Sequence, residues 1–175
     1  AKVTDVGPRS AHIAGLDYGC FAEPDLVRGG RLELGRPMEG DPDDYAVVVT
    51  DGGRFAITVT CAANALGVVP SGDYAYAEPT AARLVIEPLA AHLGCSVDDA
   101  ARQILDRAAA RVRDVVDEMV DDYRLDREGL ELVGGGGGAA TVTPHLGATM
   151  RLPARIAAHS SVISPIGVAL ALVRD

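Results

Sequence analysis

Leu132-Val133 runs straight into five consecutive glycines, Gly134 to Gly138, and an Ala/Thr-rich stretch follows at once. A short apolar strand, a turn without side chains and the start of a helix make one strand–turn–helix unit. Such a unit needs a sheet for its strand and a layer for its helix to cover, so an α/β fold is expected. Glycines at this place let the backbone approach a bound molecule with no Cβ in the way, and a helix N-terminus with N–H donors stands behind them. That is the geometry of a nucleotide site. The same run also reads as a flexible spacer. Apolar sequence resumes directly after the glycines, which places them inside a folded unit.

At 175 residues, 48% hydrophobic and 23% charged, the chain has the means to bury the core of one domain or lobe. It lacks an uninterrupted apolar run of about 18 residues and an apolar core near Ala1-Lys2-Val3-Thr4-Asp5, so a cytoplasmic address and no membrane partner are expected. Cys20, Cys61 and Cys95 lie far apart with no C-x-x-C pair. Buried free thiols are expected, with neither a disulfide framework nor a zinc site. A formal charge of −9 argues against a nucleic-acid partner, since phosphate backbones are held by clustered Lys and Arg. A small anion such as ATP remains compatible, because a glycine loop, a helix N-terminus and Mg²⁺ hold phosphate without a basic patch. The acidity is mainly local: residues 98–131 carry eleven acidic and six basic side chains.

The order along the chain is β-rich over residues 1–75 and α-rich over 76–175. Lys2 to Val6 reads as a strand running into a specialised turn, Gly7 to Gly15, and so early a turn reads as a piece of a longer chain. Arg31 to Leu34 forms a further short strand. Tyr45–Thr50 and Arg54–Thr60 around Asp51-Gly52-Gly53 give a hairpin. Cys61 to Leu66 makes one or two helical turns ending at Gly67, and Val68 to Asp73 is a loop. Thr80 to Leu93 is a helix in which Pro88 makes a break or a kink, and Gly94 stops it. The sheet is expected to hold the hairpin beside strands at Val3 to Val6 and Leu130 to Val133.

Ser96 with Asp99 three residues on resembles a capping box. Behind it Val97, Ala101, Ile104, Ala108, Val112, Val115, Met119 and Tyr123 recur at helical spacing, which predicts one amphipathic helix of about 42 Å with this stripe inward. Its charged face reads as solvated. After the glycines a helix starts and is interrupted at Pro144-His145, and Arg155 to Ala158 is a strand. Ser164 to Val173 reads as a helix with Ser as N-cap and Pro at its first position, apolar enough to be buried.

The arrangement of long helix, Asp-rich turn, Leu132-Val133 with the glycines, helix, short strand and then Val162-Ile163-Ser164-Pro165-Ile166-Gly167 resembles the C-terminal part of the hydantoinase A-type domain. In the hydantoinase/oxoprolinase family a Gly-rich turn after a strand is followed by a V-x-S-x-x-G helix. Gly7-Pro8-Arg9-Ser10-Ala11-His12-Ile13-Ala14 is similar to the family's earlier Gly/Ser loop with its Ile-Ala pair. Thr58-Val59-Thr60, Ala63-Asn64 and Leu66-Gly67 look like its V-T-x-A-N-x-x-L-G segment.

The resemblance implies a mixed sheet with flanking helices, one ribonuclease-H-like half of an actin-like ATPase fold. It implies an ATP-dependent hydrolase that opens a cyclic amide such as hydantoin or 5-oxoproline, with ATP and Mg²⁺ as cofactors in the full-length protein and a second subunit as a partner. This chain would be the adenosine-side lobe, with Gly134, Gly135, Gly136, Gly137 and Gly138 as the nucleotide turn. The family's D-x-G-G-T phosphate turns are absent from residues 1–175, so no ATPase activity is expected of these residues alone. The alternative is a non-catalytic, nucleotide-gated reactivating or chaperone-like subunit of the same fold. Arg9, Ser10 and Asn64 are candidate substrate contacts, and Asp5 and His12 are the candidate catalytic groups. Each has a plainer reading: Asp5 as a turn former, His12 as a solvated loop histidine, Asn64 as a helix or turn satisfier. His145 near a helix start reads as a ligand contact or a packing residue.

Overall fold

The computed structural model describes residues 17–22, 24–28, 33–35 and 46–171. The strand expected at Lys2 to Val6 and the turn at Gly7 to Gly15 lie outside the described residues. Strand β1 (Asp17–Tyr18) leads through one 3-10 turn (Gly19–Phe21) to the short helix α1 (Pro24–Arg28) and β2 (Glu33–Gly35). The hairpin forms as β3 (Val47–Thr50) and β4 (Gly53–Ala56), in register from Val47 opposite Ala56 to Thr50 opposite Gly53. The sheet order is β1-β4-β3-β2, with β1 parallel to β4 and the other pairs antiparallel, so the sheet is mixed.

The second hairpin strand is shorter than the expected reach to Thr60. Its last ladder-like bond runs from the Ile57 N–H to the Ala46 carbonyl, 2.9 Å. Thr58 then turns from strand to helix as the N-cap of α2 (Val59–Ala65), its hydroxyl accepting from the Cys61 N–H at 3.2 Å. A residue that caps a helix leaves the strand, whatever its β propensity.

Helix α3 (Pro79–Leu93) runs unbroken through Pro88 and ends where Gly94 takes the left-handed conformation, φ +69°. Helix α4 (Val97–Tyr123) starts on the Ser96 cap, whose hydroxyl accepts from the Asp99 N–H at 3.1 Å. Helices α2, α3, α4 and α5 (Ala139–Met150) pack on one another around the larger core, which holds Cys20, Cys61, Ala62, Ile86, Ala101, Ile104, Leu105 and Ala140. Its predominance of alanine lets the helices approach closely. A smaller cluster of Val27, Val48, Phe55, Ala81 and Val85 joins the sheet to α3. Cys20 and Cys61 are both buried and free, and hydrogen bonding to Cys61, with burial added, holds the Cys20 thiol above its ordinary range. Arg83 links three helices: one guanidinium nitrogen donates to the Ala65 carbonyl and, at 2.6 Å, to Asp98, which holds that carboxyl below its ordinary range.

Four expectations are corrected. The stripe of α4 packs inward only over its first half. Ala101 and Ile104 are buried, but Val112, Val115, Met119 and Tyr123 are exposed, because beyond Ala109 no described element covers that face continuously. Strand β5 (Leu132–Gly134) does not join the hairpin sheet. It pairs in parallel with β6 (Ala154–Ile156), since α5 returns the chain directly alongside it. Helix α5 is not interrupted at Pro144-His145 but continues to Met150; a single proline removes one backbone donor, and the packing of α5 on α4 and β6 outweighs that loss. The last helix, α6, spans Ile163–Ala171 and begins before Ser164; Ile166, Val168 and Leu170 are exposed on it, not buried. Among the described residues no helix is long and apolar enough to cross a membrane.

Candidate functional site

The site is built on the β5–turn–α5–β6 unit. Gly134 ends β5 and is buried under α5; a Cβ there would overlap the Thr143 hydroxyl, and a Cβ on Gly147 would overlap Ala154. Strand and helix therefore pack at backbone distance. Gly136 has φ +99°, a conformation that L side chains rarely adopt, and it reverses the chain into α5. The turn is fixed at both ends. The Ala157 N–H donates to the Gly134 carbonyl at 2.8 Å and the Gly136 N–H to the Ser160 carbonyl at 2.9 Å. The Thr141 hydroxyl donates to the Gly138 carbonyl at 2.6 Å, holding the first turn of the helix. Among the described residues no backbone carbonyl accepts from the N–H groups of Gly137 and Gly138, and Gly138, just ahead of α5, is exposed.

These glycines are an ordered turn, pinned to the chain on both sides of it, and two further segments meet there. Ile163, the first residue of α6, lies against Gly135, its methyls 3.5 and 3.6 Å from where a Cβ would stand. On the other side Tyr74 lies against Gly137, its Cδ1 and Cε1 atoms 3.0 and 3.1 Å from the corresponding point. The V-x-S-x-x-G stretch thus starts at the glycine turn.

Asn64 connects the remaining motif to the same place. It is 1% exposed, and its amide is fully engaged: Nδ2 donates to the Thr60 carbonyl at 3.0 Å and the Ala75 carbonyl at 2.9 Å, while Oδ1 accepts from the Ala77 N–H at 2.9 Å. The side chain spends its hydrogen-bonding capacity on the loop that carries Tyr74. Replacing Asn64 by Ala should leave the Ala75 carbonyl and the Ala77 N–H buried without partners, a cost of about 1–3 kcal/mol for each group. A thermal melt of Asn64→Ala checks this; an unchanged melting temperature contradicts it.

His145 lies one helical turn and more along α5, its Nε2 2.7 Å from Asp106 on α4, and ties the two helices. Asp5, Arg9, Ser10 and His12 lie outside the described residues. Among the described residues no group of three or more His, Cys, Asp and Glu side chains converges as for a metal ion. Sequence reasoning singled out the glycines and Asn64 but missed Tyr74. A tyrosine in a Pro/Gly/Asp loop, with a second one at Tyr76, carries no helical or strand signal that singles it out, and its contact with the turn spans more than sixty residues.

No curated protein and no solved structure gives a significant match to the chain. The family model described as hydantoinase/oxoprolinase matches residues 1–175. Its span takes in the glycine turn and the two motifs that reach it, and the chain belongs to the hydantoinase/oxoprolinase family.

Proposed function

We propose that this chain is the adenosine-side lobe of an ATP-dependent cyclic-amide hydrolase acting on hydantoin or 5-oxoproline, on a ribonuclease-H-like half of an actin-like ATPase fold. Family membership supports hydrolysis of a cyclic amide. The observation that carries the nucleotide part is the turn Gly134–Gly138 between β5 and α5, with the N–H groups of Gly137 and Gly138 left without a backbone acceptor among the described residues and no Cβ to fill the approach. Those features fit the ribose and base end of a nucleotide. The donors hold polar atoms, the left-handed Gly136 shapes the turn, and α5 directs its positive dipole end at the same place. ATP, when bound, supplies the free energy that drives ring opening. Among the described residues no cluster of three or more His, Cys, Asp and Glu side chains would hold the accompanying Mg²⁺.

The test is phosphate release from ATP by the intact protein with and without the cyclic amide. Release stimulated by hydantoin or 5-oxoproline is the expected result. Release that ignores both amides and responds to a protein partner would identify the nucleotide-gated, chaperone-like subunit instead.

A further inference from the structure

We infer that Tyr74 is the stacking platform for the base of the nucleotide at the glycine turn, a role that rests on the nucleotide reading of that turn. Tyr74 is 76% exposed, unusual for a large ring seated in an ordered loop. The loop on either side of it is firmly held. Val69, Ala75 and Ala77 are buried; Asn64 grips Ala75 and Ala77; the Asp73 carboxylate accepts from the Ala75 N–H at 2.8 Å; and the Asp73 N–H donates to the Pro70 carbonyl at 2.9 Å. The backbone is anchored while the ring is left in solvent. One edge of the ring lies against Gly137, whose N–H, like that of Gly138, has no backbone acceptor among the described residues, and most of the ring is exposed.

A planar aromatic ring carried on an anchored loop beside the glycine turn suits a flat heteroaromatic ligand. Stacking uses the ring face, the donors use the ligand's polar edge, and little backbone freedom is lost on binding because the loop is already fixed. Ile163 on Gly135 supplies an apolar contact two residues away along the same turn. The absence of a side chain at Gly137 is what brings the ring to the turn, since a Cβ there would push Tyr74 aside.

The test measures calorimetric affinities of the intact protein for ATP and for inorganic tripolyphosphate, which has no base. Base–aromatic stacking is worth enough that Tyr74→Ala should weaken ATP binding about tenfold or more. Tyr74→Phe should restore it, and tripolyphosphate affinity should not change in either variant. Because Tyr74 is exposed, the melting temperatures should stay near that of the parent. Equal ATP affinity in Tyr74→Ala and the parent overturns the role of Tyr74 while leaving the nucleotide reading standing. An intact parent protein that binds no ATP overturns both.

Discussion

Replacing Ile104 by Asp should lower stability by about 4 kcal/mol or more and the melting temperature by roughly 10 °C. Ile104 is 4% exposed and sits in the larger core, where α4 meets α2, α3 and α5. A carboxylate there loses its water without gaining a cationic partner, and the apolar contacts of the isoleucine are lost as well. Met119 occupies the same periodic stripe but is 51% exposed, so Met119→Asp should change stability by no more than about 0.5 kcal/mol. Thermal melts of the two variants give a direct comparison. A large loss at Met119, or none at Ile104, would contradict the placement of α4.

That pair of residues also shows where sequence patterning stops being informative. Spacing identifies an amphipathic face, and the Ser96 cap and Gly94 stop fix the ends of α3 and α4 from local chemistry. Periodicity says nothing about how far along that face a neighbour extends, and the stripe beyond Ala109 therefore reads the same as the part before it. The apolar α6 failed for the same reason. The hairpin was legible because its turn and alternating residues are adjacent in sequence. The partner of β5 was not, because the choice between the hairpin sheet and β6 depends on the return of α5 and not on any residue in the strand. At the site, the glycines announced themselves by lacking side chains. The role of Asn64 required knowledge of which carbonyl and which N–H lay across from it, eleven and thirteen residues on, and Tyr74 left no mark in sequence at all.

The largest functional effect is expected at Gly135. Its φ lies outside the left-handed region, and a Cβ would stand at ordinary contact distance from Ile163, so a valine fits the backbone with only local adjustment. Its branched side chain would nevertheless project from the turn over which the nucleotide is proposed to lie. Gly136→Val is the less informative change, since φ +99° makes any side chain there strained and couples folding to binding. Gly135→Val separates the two. A glycine run that served only as a spacer would tolerate it in every respect.

The decisive measurement is calorimetric titration of ATP into the intact protein and into Gly135→Val, each first shown by thermal melting to be folded. Binding by the parent, weakened at least about tenfold in Gly135→Val with a melting temperature lowered by only a few degrees, is the predicted result. Equal affinity in the two proteins, or no ATP binding by the parent, would contradict a nucleotide site at Gly134–Gly138.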